Sequence, residues 1–485
     1  MRASYSVCIL PAILQLVSSH SGAETESKLL IVSLAGFRWD YLSGRAKTPN
    51  FDKIKENGVV ARRGMKSAYI TETLPNHFTL VTGLWVESHG MIGDTMWDPR
   101  LNETFEGRMG QNQDPRWWDV GAEPIWITNQ LQKKHGRSGC MMWAGCEAPI
   151  MGMTPTRHQS LDGEVDFKTR VDILVKWFLD EYPINLGLLY FEKLEECGHK
   201  YGPDSKEVTA MIETVDRHVG YLLDQLEKSD LLESMNLIIT SNHGIIATPT
   251  NFLVNLDDAI TPNSYRIFIS SAVAGILPNE GLEEAVYRNL TQAAMRNQTF
   301  SVYRQSEIPV QNHYKNHYRI PPILVQANES YTIIANHSAE MWREGNHGYN
   351  NSLRNMFALF MAVGPGFHKG AEVETFDNVD VYSLMCHLLG LKPVANNGSL
   401  DGLHILLEDN EKTTIVTFGT YFFVLFVIAT VGGIFVVAAC RQHRYLKRQR
   451  GKVRSMDGPV TYSVPSNNSG KVPLLSETDE EETFQ

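Results

Sequence analysis

Cysteine is scarce in this sequence, with six among 485 residues. Four of them, Cys140, Cys146, Cys197 and Cys386, lie in the central part of the chain, and the sequence does not give their pairing. So few cysteines exclude a small domain that depends on a dense set of disulfides.

A basic patch is also missing from the central part of the chain. The formal net charge is -11, and part of the excess acid lies in the last ten residues. This balance argues against a nucleic-acid-binding surface, and no nucleic-acid partner is expected. A hydrophobic content of 43% with 10% aromatics is that of a globular protein with a sizeable core.

Long apolar stretches are confined to the two ends. Arg2, the apolar run Val7–Val17 and small residues up to Ala23 have the parts of a secretory signal peptide. Thr414–Cys440 gives about 27 residues without a charge, enough to cross ~30 Å of hydrocarbon. Because a basic cluster follows at 441–454, the positive-inside rule predicts a single-pass type I protein of the plasma membrane with an extracellular ectodomain.

These features predict a domain organisation of a signal peptide at 1–23 and an ectodomain at 24–400. A stalk at 401–413, a transmembrane helix at 414–440 and a disordered cytosolic tail at 441–485 would follow. N-glycosylation sequons fit an extracellular domain. They begin at Asn102, Asn289, Asn297, Asn328, Asn336, Asn350 and Asn397.

The ectodomain pattern predicts an α/β fold. Leu29–Leu34 is an apolar run typical of a strand buried on both faces of a largely parallel sheet. Similar runs are predicted as strands at Ile125–Ile127, Ile184–Phe191, Leu237–Thr240 and Met356–Val363. Apolar residues at helical spacing predict a helix over Ser205–Leu226. Strands that alternate with helices indicate a parallel or mixed central sheet.

A candidate nucleophile lies in the stretch Thr71–Gly83. Pro75 is expected to force Leu74 out of the helical region, which would place Thr73 just before a bend and a packed helix. The N–H groups at such a helix start favour an anion such as phosphate. The alternative is that the threonine only caps the helix and His77 is a core histidine with satisfied hydrogen bonds.

Further polar motifs follow successive predicted strands. Since functional residues of such sheets gather at the carboxyl ends of the strands, their joint placement favours one site at that edge. The motifs are Phe37-Arg38-Trp39-Asp40-Tyr41, Thr73-Leu74-Pro75-Asn76-His77, Gly198-His199-Lys200-Tyr201-Gly202-Pro203, Ser241-Asn242-His243-Gly244 and Gly345-Asn346-His347-Gly348-Tyr349.

In order and spacing these motifs resemble the ectonucleotide pyrophosphatase/phosphodiesterase family, over about residues 28–440. The signal, ectodomain and membrane layout is most similar to its members four and five. The resemblance implies an alkaline-phosphatase-like fold, with a mixed central sheet flanked by helices and one transmembrane helix. It also implies two zinc ions and a threonine nucleophile, Thr73, that forms a phosphothreonine intermediate.

Carried over position by position, the resemblance gives the first zinc the ligands Glu195, His199 and His347. Glu195 replaces an aspartate of the family, and a longer carboxylate can still coordinate zinc.

The second zinc would use the positions of Ala35, Thr73, Asn242 and His243. Both carboxylates of that site are absent here, so the second site is expected to be very weak or empty. One zinc or none is therefore expected, instead of the family's two.

Two substrate-binding positions also depart from the family. Asp94 replaces an asparagine that donates to the phosphoryl group, and a carboxylate about 4 Å from a phosphate costs about 4 kcal/mol at an effective dielectric of 20. Leu74 replaces an aromatic ring, so base stacking is lost. Asp94 or Cys197 could alternatively serve as a replacement metal ligand, against the simpler readings of a solvated carboxylate and an inert buried thiol.

Two hypotheses follow. The first is a catalytically impaired family member at the cell surface that works through an extracellular nucleotide or protein ligand. The second is an active zinc phosphodiesterase that hydrolyses extracellular nucleotides or dinucleotides through Thr73. Shedding of the ectodomain at the stalk is a third hypothesis, and nothing in the sequence favours it.

Overall fold

A computed structural model describes residues 27–107, 111–268, 272–335, 343–408 and 410–454, the ends of the last range by backbone alone. The described chain divides after Glu408 into a large folded unit and a single helix. The predicted signal peptide, the tail beyond 454 and the sequon at Asn336 lie outside the described residues.

The strands of the described residues are between two and seven residues long. In chain order they are β1 (Lys28–Leu34), β2 (Val59–Ala61), β3 (Met65–Lys66), β4 (Met96–Asp98), β5 (Glu103–Phe105), β6 (Ser138–Met141), β7 (Arg157–Gln159), β8 (Leu186–Phe191), β9 (Met235–Thr240), β10 (Ile246–Ala247), β11 (Leu253–Asn255), β12 (Tyr265–Phe268), β13 (Val273–Pro278), β14 (Phe300–Arg304), β15 (Ile323–Ala327), β16 (Thr332–Ile334), β17 (Gly345–Asn346), β18 (Phe360–Val363), β19 (Ala371–Val373) and β20 (Phe376–Asp377).

The α-helices range from single turns to a long helix at the end of the described chain. They are α1 (Pro49–Asn57), α2 (Thr73–Thr82), α3 (Val86–His89), α4 (Pro115–Trp118), α5 (Ile125–Gln132), α6 (Phe167–Leu179), α7 (Lys193–Tyr201), α8 (Lys206–Lys228), α9 (Glu283–Asn297), α10 (Asp380–Leu389) and α11 (Asn410–Arg454). Short 3-10 helices occupy Leu256–Asp258, Gln305–Glu307, Val310–Asn312, Arg354–Met356 and His404–Leu406.

The main sheet is eight-stranded and mixed, in the order β19-β2-β18-β9-β1-β8-β6-β7. β1 lies at its centre, parallel to β8 and β9, while β18 runs antiparallel to β9 and β2. This confirms the predicted fold class. Because β1, β8 and β9 are parallel, their carboxyl ends meet at one edge of the sheet.

Helices cover both faces of this sheet, as the apolar run of β1 requires. Leu29 and Ile31 pack in one core cluster with α2, α5 and α10, while Leu30 and Val32 pack in a second with α1, α6 and α8. The alternation follows from the two-residue period of a strand, and it buries both faces of β1. A four-stranded antiparallel sheet, β12-β13-β15-β14, packs with α9 in a third core cluster.

Two sequence predictions of local structure differ in outcome. The helix predicted over Ser205–Leu226 is α8, and the Ser205 hydroxyl caps it by accepting a hydrogen bond from the Val208 N–H at 3.1 Å. The strand predicted at Ile125–Ile127 is wrong, because these residues form the first turn of α5. Three apolar residues in a row are too few to distinguish a strand from a buried helix.

The folded unit continues past the predicted end of the ectodomain at 400. Leu403, Leu406 and Leu407 are buried, and Leu407 bridges to Phe367. Within α11, Phe423–Gln449 is long and apolar enough to cross a membrane by length and composition. The predicted span 414–440 overlaps that segment.

Candidate functional site

The sheet edge at the ends of β1, β8 and β9 brings most of the predicted site residues together. Ala35 follows β1, His243 follows β9, and α7 starts two residues after β8. His347 comes from the loop after β17, and Thr73 is the first residue of α2. Five separate segments therefore converge on one place, although they are spread along the chain from Ala35 to His347.

Glu195 is at the centre of the site. Its Oε1 lies 3.0 Å from Nε2 of His347 and 3.4 Å from Nε2 of His199. The Thr73 hydroxyl lies 3.3 Å from the same oxygen. Glu195 and His199 share one face of α7 because they are four residues apart. Oε2 of Glu195 is buried and has no hydrogen-bond partner among the described residues.

The three imidazole rings are all fixed through Nδ1 by backbone carbonyls. Nδ1 of His199 lies 2.8 Å from the Gly345 oxygen, Nδ1 of His243 lies 2.8 Å from the Gly244 oxygen, and Nδ1 of His347 lies 3.0 Å from the Thr71 oxygen. Each Nδ1–H donates to its carbonyl, which leaves Nε2 to face the cluster.

This arrangement fits one divalent metal ion. The ligand atoms of Glu195, His243 and His347 all lie within 4.8 Å of one another. Imidazole nitrogen and carboxylate oxygen are ligands that zinc accepts, and backbone carbonyls that orient the imidazoles are the usual second layer of such sites. A lone pair on Nε2 that faces a carboxylate oxygen also requires a cation or a proton between them.

The pKa shifts of the site residues also indicate that a positive charge is favoured beside Glu195. Burial raises the pKa of Glu195, but its hydrogen bonds with His199 and His347 outweigh that and hold the pKa well below its usual value. Burial lowers the pKa of His347, yet the Glu195 carboxylate more than compensates and raises it. Burial holds the pKa of His243 well below its usual value, so this ring is a neutral acceptor.

His199 is close to this group but has a competing partner. The Arg343 guanidinium donates to Nε2 of His199 at 2.8 Å, the atom that a metal would need. The geometry therefore groups His243, predicted for the second zinc, with Glu195 and His347 from the first. His199 lies at the edge of this group, with its Nε2 3.4 Å from Oε1 of Glu195.

The remaining second-zinc positions do not fit a metal. Ala35 is fully buried and offers no ligand atom. Oδ1 of Asn242 accepts hydrogen bonds from the Gly36 N–H and the Ser241 hydroxyl, both at 3.2 Å. Nδ2 of Asn242 is buried without a partner among the described residues. A neutral amide oxygen that already has two donors, beside a methyl group, cannot replace two carboxylates.

Thr73 begins α2, and the prediction that Leu74 lies outside the helix is wrong. Pro75 is the third residue of the helix, where its missing N–H belongs to the first turn and breaks no internal hydrogen bond. The Thr73 hydroxyl lies 3.2 Å from Nε2 of His243. His77 fits its alternative reading, because Nδ1 lies 2.8 Å from the Thr73 oxygen and Nε2 lies 2.8 Å from Oγ of Ser33.

Asp94 lies at the same helix start. Its Oδ1 accepts from the Leu74 N–H at 2.7 Å and its Oδ2 from the Thr73 N–H at 3.4 Å. Burial raises the pKa of Asp94 to about 7, Glu72 adds to the rise, and His347 and the Leu74 N–H oppose it. The simpler reading of Asp94 as a freely solvated carboxylate is therefore wrong.

A cavity of about 100 Å³ adjoins Thr73, and the sequence analysis missed most of its walls. Leu74, Met142, Trp143 and Tyr190 are among its lining residues. The loop that carries Trp143 is closed by a Cys140–Cys146 disulfide. The two cysteines that bracket Trp143 were the available indication that this loop has a fixed shape.

The other predicted positions lie away from the site. Cys197 is half-buried and packs against the core cluster that contains Leu30 and Val32. Burial raises the pKa of its thiol. Its thiol is not part of the metal-ligand group found among the described residues. The sequons at Asn102, Asn289, Asn297, Asn328 and Asn397 are exposed, and Asn350 is half-buried.

Comparison with known proteins gives one consistent result. The sequence matches the family described as type I phosphodiesterase/nucleotide pyrophosphatase over residues 29–350. It is 39% identical to human ectonucleotide pyrophosphatase/phosphodiesterase family member 5 over 402 residues, 83% of this chain and 82% of the relative. It is 38% identical to bovine bis(5'-adenosyl)-triphosphatase over 392 residues, 80% of this chain and 84% of the relative.

A solved structure supports the same relationship. Murine family member 5 superposes with a TM-score of 0.75 at 40% identity and covers 79% of this chain and 100% of its own. An inactive variant of the same murine protein in complex with AMP gives a TM-score of 0.76 at 39% identity, with the same coverage of both chains.

Proposed function

Because this chain belongs to the type I phosphodiesterase/nucleotide pyrophosphatase family, we propose that it is a cell-surface member whose phosphodiester chemistry is impaired and that works through extracellular binding. The observation that carries the proposal is the second metal position. There the methyl group of Ala35 and the amide of Asn242 stand where the family has carboxylates, and Oδ1 of Asn242 is already bonded to Gly36 and Ser241.

The chemistry explains why this position matters. In the family, paired zinc ions lower the pKa of the nucleophilic hydroxyl and neutralise the phosphoryl oxygens. In this chain the groups around the Thr73 hydroxyl are Nε2 of His243 and Oε1 of Glu195. Both can accept its proton in a hydrogen bond, but neither Ala35 nor Asn242 offers a carboxylate that would bring a second cation to the hydroxyl. Without that cation the hydroxyl stays protonated and is a poor nucleophile.

The single metal site proposed here has Glu195, His243 and His347 as its ligands, with His199 at its margin. Its role would be to hold the segments after β8, β9 and β17 together and to offer one cation to a ligand. Metal binding of this kind contributes directly to folding stability.

The cell-surface placement rests on α11. We propose that this helix spans the membrane once and that the basic residues at 441–454 lie in the cytosol, because lysine and arginine are enriched on that side. The exposed sequons of the ectodomain support an extracellular location, where glycans are attached to surface asparagines.

Two measurements on the purified chain test the proposal. Elemental analysis should give one zinc or none per chain, and hydrolysis of a simple phosphodiester and a dinucleotide should stay at background. Thr73→Ala serves as the matched control, since it removes the nucleophile alone. Two zinc ions per chain, or turnover that disappears in Thr73→Ala, would contradict the proposal.

One observation favours the second candidate, an active hydrolase of extracellular nucleotides or dinucleotides. The Thr73 hydroxyl lies 3.2 Å from a ring nitrogen that can accept its proton, as a nucleophile and its base do. The bovine relative is named a bis(5'-adenosyl)-triphosphatase. The same hydrolysis assay decides between the two functions.

A further inference from the structure

The start of α2 already holds an anion, and it is part of the chain. Glu72 precedes the helix, and its side chain does not cap it. The first N–H groups of a helix need acceptors from elsewhere and favour negative charge. Here Asp94 supplies them, with Oδ1 2.7 Å from the Leu74 nitrogen and Oδ2 3.4 Å from the Thr73 nitrogen.

The segment that carries Asp94 is fixed on both sides of it. The Asp94 N–H donates to Oε2 of the buried Glu72 at 2.9 Å, and the Tyr314 hydroxyl donates to the Ile92 carbonyl at 2.7 Å. Tyr314 is itself fully buried. These two hydrogen bonds hold the segment that carries Asp94, so its carboxylate is directed at the helix start by buried partners.

These two N–H groups are the donors that a phosphoryl oxygen next to the Thr73 hydroxyl would use. An incoming phosphate would have to displace the carboxylate from them. If the carboxylate stayed within about 4 Å, like-charge repulsion at an effective dielectric of 20 would weaken binding about a thousandfold. Competition for donors and repulsion act in the same direction.

We propose that Asp94 is a built-in anion that occupies the phosphate-binding amides at the start of α2 and closes this position to phosphoryl ligands. The inference deepens the proposed function and rests on it, because it states which ligands the site rejects. A ligand of this chain would then bind through the metal site or the cavity beside Trp143, with no phosphoryl group at Thr73.

The test is a titration of the full-length chain in detergent with inorganic phosphate, at alkaline pH and with metal chelated. Chelation removes any phosphate affinity that a metal ion would add, and phosphate undergoes no hydrolysis. Asp94→Asn keeps an acceptor for the Leu74 N–H and removes the charge. It should bind phosphate about a hundredfold more tightly than the natural chain, or better.

Glu147→Gln is the matched control, because Glu147 lines the cavity beside Thr73 and its replacement removes one charge at a residue that makes no hydrogen bond to the helix start among the described contacts. It should change phosphate affinity by no more than about threefold, the effect of one solvent-screened charge. Asp94→Ala should bind phosphate like Asp94→Asn, and its circular dichroism spectrum checks that it is folded. This second variant shows that the gain does not come from the new amide group.

The outcomes separate this inference from the proposed function. The inference is overturned if the natural chain binds phosphate as tightly as Asp94→Asn, or if both folded Asp94 variants gain no more than Glu147→Gln. Turnover of a phosphodiester by the natural chain would refute the proposed function, whereas the phosphate titration reports on Asp94 alone.

Discussion

Restoring the two missing acids should rebuild a second metal site and make the fold depend on zinc. In the Ala35→Asp, Asn242→Asp double variant, we expect zinc per chain to rise by one relative to the natural chain. The second change costs no hydrogen bond, because Nδ2 of Asn242 has no partner among the described residues and the Gly36 N–H keeps an oxygen acceptor.

The size of the effect follows from burial. Both positions have 0% exposed surface, so two new carboxylates would lie in a site with little solvent. An uncompensated buried charge typically costs about 3–5 kcal/mol. Zinc at about a thousand times its dissociation constant returns about 4 kcal/mol of unfolding free energy. The variant should therefore lose several kcal/mol in the presence of a chelator and regain much of it with zinc.

Urea denaturation with a chelator and with zinc measures this difference, and elemental analysis counts the metal. Ala274→Asp is the control, because Ala274 is equally buried but lies in β13, within a core cluster separate from the metal ligands. It should be destabilised without any recovery in zinc. If the double variant binds no additional zinc and zinc restores no stability, the assignment of these positions to a second metal site is wrong.

Three further predictions concern charged side chains of the folded unit. Arg319→Met should lower the unfolding free energy by about 3–5 kcal/mol in urea denaturation, because it leaves the buried Asp98, 2.7 Å away, without its cationic partner. Burial raises the pKa of Asp98, but the Arg319 hydrogen bond leads the contacts that together lower it. The stability from Asp98 should thus be present above its unfolded-state pKa and be lost as pH falls through its folded pKa, so unfolding curves of Asp98→Asn should vary less with acid pH. Arg343→Ala frees Nε2 of His199 and should tighten zinc binding about tenfold in competition with a chelating dye.

Much of the fold follows from sequence because hydrophobic period and capping are local. The apolar run of β1 and the helical spacing of α8 each describe one element, and both elements are where they were predicted. β6 was missed because its sequence, Ser138–Met141, is short and includes a glycine. Gly139 leaves room there for two side chains, since an added Cβ would lie 2.6 Å from Cδ1 of Ile184 and 2.9 Å from Cε3 of Trp177. Such a tertiary contact leaves no local pattern.

The site residues could be predicted by type, but their grouping could not. The family resemblance divides His243 and His347 between two metal positions, while their rings stack with centroids 3.9 Å apart. The hydrogen bond from Arg343 to His199 and the bonds from the helix start to Asp94 depend on distances between segments far apart in the chain. Those distances come only from the fold.

The substitutions at this site can be compared by the charge that each one adds or removes. Relative to the family pattern, Ala35 and Asn242 remove two negative charges, which suits a site that holds one divalent cation fewer. Two carboxylates left there without a second cation would each carry a large burial cost. Asp94 adds one negative charge, which burial and Glu72 disfavour and which His347 and the Leu74 N–H at the start of α2 stabilise only in part. A chain that had lost only one acid would keep an unbalanced buried charge, so we infer that the changes at Ala35 and Asn242 together stabilise an arrangement without a second metal.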